Sequence, residues 1–345
     1  MDIDDLLRTA IQRHASDVHV TVESSPALRI HGELVRIDGR PLTPREVEET
    51  LRSMCRAEHF DKFLASGQVD FSYSIPGLSR FRVNAFRQRG SVAICVRILS
   101  SQMPTLDDLS LPPVVAELAS KEYGLVLVTG ATGSGKSSTL AAMINAINET
   151  KAYHVITLED PIEYLHRHKR SIINQREIGS DTESYADGVR AALREDPDVI
   201  VIGELRDLET ATTAITAAET GHLVLATLHA TSAAQAVNRV VDIFPLEYQR
   251  QAYRHLAAVV EGVVSQQLVP RASGPGRVVA CEVLVGNPEV RAIIRQGETH
   301  NLRAAIEAGE ALGMRTMARS VEELHQMRAI SEDEFRARTA AALGV

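Results

Sequence analysis

The run Leu125-Val-Leu-Val-Thr-Gly130-Ala131-Thr132-Gly133-Ser134-Gly135-Lys136-Ser137-Ser138 decides the fold. Its first five residues are apolar and strand-length, and residues 138–147 after it carry a helical pattern. Residues 130–137 fit G-x-x-x-x-G-K-[ST] at every fixed position, in the strand–loop–helix context that this pattern requires. Glycines let backbone amides turn inward around phosphate oxygens, and the helix N-terminus adds partial positive charge. Lys136 is expected to reach the β- and γ-phosphates and Ser137 to ligate Mg²⁺. Residues 130–138 are therefore the candidate site for a nucleoside triphosphate.

Around this loop, apolar runs at 125–129, 154–158, 199–202 and 223–227 alternate with helical patterns. Such alternation predicts a mostly parallel sheet covered on both faces. The carboxyl ends of its strands, where open α/β sheets bind ligands, carry the candidate chemistry. Asp198-Val-Ile-Val-Ile-Gly-Glu204 ends in a carboxylate suited to holding the water shell of Mg²⁺. Ile156-Thr-Leu-Glu-Asp-Pro-Ile-Glu163 offers Glu159, Asp160 and Glu163 to orient the attacking water. Spacing leaves all three open, with Glu163 preferred. Gly221-His222-Leu-Val-Leu-Ala-Thr-Leu-His229 brackets a strand with two histidines, and His229 stands where a γ-phosphate would be sensed.

Before residue 100 the texture differs. A helix is expected over 2–14, strands over 16–22 and 27–37, and a capped helix from Thr43 to about 56. Strands near 69–75, 80–86 and 92–99 complete a small α+β domain over 1–99. The proline-bearing stretch 100–118 reads as a linker, and 119–345 as the nucleotide domain. Beyond 246 the chain reads as mainly helical, with one strand pair near 264–269 and 277–283. Residues 71–106 hold five arginines and no acid, with Arg80 and Arg82 on one strand face and Arg97 in an otherwise apolar run. A solvated face, a nucleic-acid contact and a phosphate contact compete to explain them. The last is preferred because a nucleotide site is at hand.

Hydrophobic residues are 44% and charged residues 24%, an ordinary globular composition that excludes a disordered or fibrous chain. A net charge of -8 argues against nucleic acid as the main partner. Three dispersed cysteines exclude a Cys-rich zinc site and a disulfide framework, and point to a reducing, cytoplasmic setting. The acidic opening Met1-Asp-Ile-Asp-Asp5 is unlike a secretory signal. No apolar run approaches the ~20 residues that span a bilayer.

Six segments in order resemble the secretion-superfamily ATPases, and among them the PilT-like type IV pilus retraction ATPases. They are ASDVHV, RFRVNAFRQRG, GATGSGKSSTLAAMI, ITLEDPIEY, REDPDVIVIGELRD and TGHLVLATLHA. The resemblance covers essentially the whole chain. It implies an N-terminal PAS-like α+β domain followed by a RecA-like P-loop ATPase domain with a helical C-terminal part. It further implies a ring hexamer, ATP and Mg²⁺ as ligands, an inner-membrane platform protein and a paralogous retraction ATPase as partners, and a peripheral place at the cytoplasmic membrane face. Carried over residue by residue, Glu163 becomes the water-activating acid and Glu204 the Walker B glutamate. His222 and His229 form the histidine box, and Arg82 and Arg97 look toward nucleotide. Retraction rather than assembly is implied by the missing four-cysteine zinc module and by Glu289-Val-Arg-Ala-Ile-Ile-Arg-Gln-Gly297. Secretion or DNA transfer is the alternative within the superfamily. A nucleotide-gated regulatory module with little turnover is the alternative outside it.

Overall fold

The computed structural model describes residues 2–30, 32–99 and 103–343. It divides into two compact units, one of residues 1–102 with 163–165, the other of 103–162 with 166–345. Ser100, Ser101 and Gln102 of the expected linker lie outside the described residues.

The first unit runs α1 (Ile3–Gln12), β1 (Ala15–Thr21), β2 (Ala27–Ile30), β3 (Glu33–Arg36), α2 (Pro44–Met54), α3 (Ala57–Ser66), β4 (Gln68–Ile75), β5 (Ser79–Gln88) and β6 (Ser91–Ile98). Its sheet has the order β3-β2-β1-β6-β5-β4, every neighbouring pair antiparallel. α2 begins as its sequence demands. The Thr43 side chain accepts the Glu46 amide, Glu46 accepts the Thr43 amide, and Pro44 occupies the first turn. α3 is not foreseen by the pattern. It ends where Gly67 takes a left-handed φ of 76°. Leu7, Leu51 and Phe63 from the three helices meet Val18, Phe81, Val83 and Val96 of the sheet in one core.

The second unit opens with α4 (Val114–Ala119), β7 (Gly124–Thr129), α5 (Lys136–Thr150), β8 (His154–Glu159), β9 (Ile172–Glu177) and α6 (Tyr185–Ala192). Next come β10 (Val199–Ile202), α7 (Leu208–Glu219), β11 (Leu223–Leu228), α8 (Ala233–Asp242) and α9 (Leu246–Val259). The hairpin β12 (Val260–Pro270) and β13 (Arg277–Val285) precedes α10 (Pro288–Gln296), α11 (Leu302–Ala308), α12 (Met317–Gln326) and α13 (Glu332–Leu343). The sheet order is β13-β12-β7-β11-β10-β8-β9, parallel throughout except for β13. β12 therefore does more than pair with β13. It extends the parallel sheet beside β7, with Ser265 opposite Thr129.

Successive residues of β7 serve opposite faces. Leu125 and Leu127 enter one core, and Val126 and Val128 the other. Each such side chain contributes about 1.5–3 kcal/mol when fully buried. Leu111, Val114, Val115 and Leu118 pack into the second of these cores, so that residues 103–118 belong to the second unit.

Candidate functional site

The phosphate loop leaves β7 at Gly130, whose φ of 148° suits glycine alone. A Cβ there would lie 2.4 Å from the Gln266 carbonyl oxygen and 2.4 Å from Ser134 Oγ. Gly135, with φ 91°, caps the N-terminus of α5 and brings no side chain of its own to the first-turn amides. Lys136 Nζ folds back to donate to the carbonyls of Gly130 (2.9 Å) and Ala131 (3.0 Å). The loop is thus closed by its own lysine, with amide donors and an ammonium converging on one small space. Thr132, Gly133 and Ser137 are exposed along it, Ser138 is half-buried, and Ser134 is buried. Ser134 Oγ has no hydrogen-bond partner among the described residues. A cradle that a Cβ would fill and an orphaned hydroxyl fit a phosphate chain.

Glu204 lies two residues beyond β10, and His229 one residue beyond β11. Because these strands are neighbours, the two side chains meet, with His229 Nε2 3.1 Å from the Glu204 carboxylate. Arg206 holds the other carboxylate oxygen at 2.6 Å. Burial alone would raise the Glu204 pKa. The Arg206 hydrogen bond and charge, with those of His229 and Lys136, outweigh it and hold the acid below its ordinary value. Lys136, on the phosphate loop, is the last of the charges that act on Glu204. Thr227 donates to the Gly203 carbonyl and Leu205 N to the Thr227 carbonyl, locking this turn to β11. A cavity of about 400 Å³ opens there, lined by Glu204, Arg206, His229, Arg239 and Asp242.

The acids of 159–163 separate. Glu159 closes β8 and accepts Thr157 Oγ1 (2.6 Å) and Gln175 Nε2 (3.0 Å), which commits it to the sheet edge. Asp160 and Glu163 are exposed, and Glu163 groups with the first unit. Tyr185 is a member of this edge that pattern reading misses, since a tyrosine opening a helix reads as core. Its phenol pKa is raised by burial, then by the charge of Asp160, with Glu204 and Glu159 adding to it and Arg206 opposing. A Cβ on Gly203 would sit 2.8 Å from its hydroxyl, so the glycine makes room for it.

Two expectations change. His222 is not brought to this site. It precedes β11, whose six residues, about 20 Å of strand, separate it from His229, and its Nδ1 meets the Ala217 carbonyl at 3.0 Å. The anionic partner expected for Arg97 is found inside its own sheet. Arg97 Nε donates to buried Asp17 at 3.1 Å, because Arg97 and Asp17 are register partners on β6 and β1. Arg82 is the cross-strand partner of Arg97 and lies 3.9 Å from Asp70. Asp17 was visible as an acid in the alternating strand ASDVHV, but nothing local to it names its partner.

Among the described residues no group of three or more His, Cys, Asp or Glu is arranged to hold a metal. Mg²⁺ needs none, since it keeps its waters and takes one or two protein oxygens beside the substrate's phosphates. Ser137 and Glu204 are the oxygens that the sequence offers for it.

The family model for type II/IV secretion system proteins matches residues 1–332. The chain is 43% identical to the type IV pilus retractation ATPase PilT of Pseudomonas aeruginosa over 320 residues, 92% of each chain. It superposes on a crystal structure of the pilus retraction motor PilT with bound ADP at a TM-score of 0.91 and 45% identity, covering 98% of this chain and 97% of that one. The ATPase DotB of Legionella pneumophila matches at a TM-score of 0.87 and 30% identity over 99% and 95%. By sequence and by fold, the chain belongs to the type II/IV secretion system protein family.

Proposed function

We propose that this chain is an ATPase motor that powers retraction of a type IV pilus. Likeness to the retraction ATPase PilT over 92% of both chains carries the reading. Hydrolysis is an in-line attack of water on the γ-phosphate, and the chain contributes position and charge rather than a covalent intermediate. The loop amides and Lys136 bind and neutralise the phosphates. Ser137 and Glu204 are the groups that would hold Mg²⁺ and its waters, and the ion would supply positive charge to the phosphates. Glu163 takes the proton of the attacking water. His229, held by Glu204, hydrogen-bonds to the γ-phosphate region and reports its loss. Arg82 and Arg97 supply cationic charge to phosphates of their own or a neighbouring subunit.

The working state in this reading is a homo-hexamer at the cytoplasmic face of the inner membrane. It docks on a platform protein and cooperates with a paralogous retraction ATPase. Among the described residues no helix is long and apolar enough to cross a membrane, which leaves the attachment to partners. The family description, type II/IV secretion system protein, carries a second reading, a secretion ATPase. Deletion separates the two. Lost twitching and persistent surface pili, restored by the wild-type gene but not by Lys136→Ala, support retraction. Normal twitching with a secretion defect overturns it. Multiple ATP turnovers by the purified protein exclude a nucleotide-gated module.

A further inference from the structure

β12 meets the phosphate loop through Gln266, which is 1% exposed, with the Leu268 side chain also beside Gly135. Its Nε2 donates to the Ser134 carbonyl at 2.8 Å. Its main-chain oxygen fills the place a Gly130 side chain would take, and a Cβ on Gly135 would come 3.1 Å from Nε2. The loop is trimmed to glycine at two positions that face this residue. Gln266 Oε1 is buried with no hydrogen-bond partner among the described residues. Burying an acceptor without a partner is costly, so an amide at this buried position calls for a reason.

We propose that Gln266 is a positioning residue for the phosphate loop, setting the orientation of the Ser134–Gly135 peptide. In a planar trans peptide the C=O and the following N–H point in opposite directions. Pinning the Ser134 oxygen toward β12 therefore turns the Gly135 N–H away from β12, among the amides that cap α5 and receive phosphate. Rotation of this peptide turns on ψ of Ser134 and φ of Gly135, and Gly135, at φ 91°, offers little resistance to it. The side-chain donor supplies the stiffness that this glycine lacks.

This inference rests on the nucleotide-binding reading, and the test keeps the two apart. Binding of the fluorescent analogue mant-ADP is titrated against the full-length wild type, Gln266→Met, Gln266→Glu and, as a control, Gln267→Met. Gln266→Met, which has no donor, is expected to weaken binding by about tenfold. Gln266→Glu is the sharper variant. Its carboxylic acid can donate to the Ser134 oxygen, whereas its carboxylate repels both that oxygen and phosphate. Its affinity relative to wild type should fall by about tenfold between about pH 6 and pH 8.5. Simple filling of space produces no such change, and the control should bind like wild type. Should Gln266→Met not fold, the pH series on Gln266→Glu decides alone. Both variants binding within roughly twofold of wild type at every pH overturns the positioning role and leaves the nucleotide site standing. A wild type that does not bind mant-ADP overturns the site itself, and the proposal with it.

Discussion

β5 and β11 show two ways of burying a strand. In β5, Phe81, Val83 and Ala85 point inward while Arg80, Arg82 and Asn84 point out, so one face of the antiparallel sheet displays charge. In β11 every residue from Leu223 to Leu228 is buried, because helices cover both faces of the parallel sheet. Polar chemistry in the second unit is therefore confined to strand ends. Lys136 follows β7, Glu204 follows β10 and His229 follows β11. A face can present a row of cations, whereas an edge can bring different groups to one point. The first arrangement suits charge supply, and the second suits catalysis.

Substitution on the charged face tests this contrast hardest. Arg82→Ala and Arg97→Ala should each lower ATP turnover by ~10³-fold if they act as arginine fingers. Their stabilities should diverge. Arg82→Ala changes unfolding free energy by less than about 0.5 kcal/mol, whereas Arg97→Ala strips buried Asp17 of its nearest cation and costs about 1–3 kcal/mol in urea. Wild-type turnover in both variants would make the face a solvated or partner surface.

Inside the covered sheet the effect moves to folding. Leu225→Ala should destabilise by about 2–5 kcal/mol, against less than about 0.5 kcal/mol for Leu34→Ala on exposed β3. Equal urea midpoints would mean that the two sheets bury their strands alike. Glu163→Gln is expected to leave ATP binding intact and cut turnover by ~10²-fold. Survival within about threefold moves the base elsewhere, with Glu159 or Glu204 next in line.

The two ends of β11 provide a smaller test. His229→Ala should lower kcat by about tenfold, with His222→Ala distinctly milder in the isolated chain. Matching losses would break the claim that, of the two ends of β11, the carboxyl end is the catalytic one. The least effect is a pH slope. Burial, and then the charge of Lys169, lowers the His166 pKa to about 4 from an ordinary 6.5. The unfolded chain takes up this proton near 6.5 and the native chain only near 4. Stability from this residue is thus complete above pH 6.5 and drains as pH falls toward 4. His166→Gln should flatten the fall of Tm over that window, and an unaltered slope would show that the ring is solvated.

Much of the site was legible because its determinants are local. A glycine must supply positive φ at Gly133 and Gly135 whatever surrounds it, and the Thr43–Glu46 box spans only three peptide bonds. The edge strand β9 was not legible, since Asn174, Gln175 and Arg176 carry no apolar period. α3 escaped notice because its buried Phe60 and Phe63 give too short a pattern to separate it from α2.

Residue order by itself determined the phosphate loop, the alternation of strand and helix, and which residues stand at the strand ends. Those are properties of dihedral preference and hydrophobic period, which act over a few residues. Tertiary structure alone decided that Arg97 pairs with Asp17 across 80 positions and that Glu204 meets His229 through neighbouring strands β10 and β11. It also brought Gln266 to grip a loop 132 positions earlier in the chain. Register and strand order set those contacts. Both emerge only when sheets close around a common core, because hydrogen-bonded neighbours in a sheet need not be neighbours in sequence.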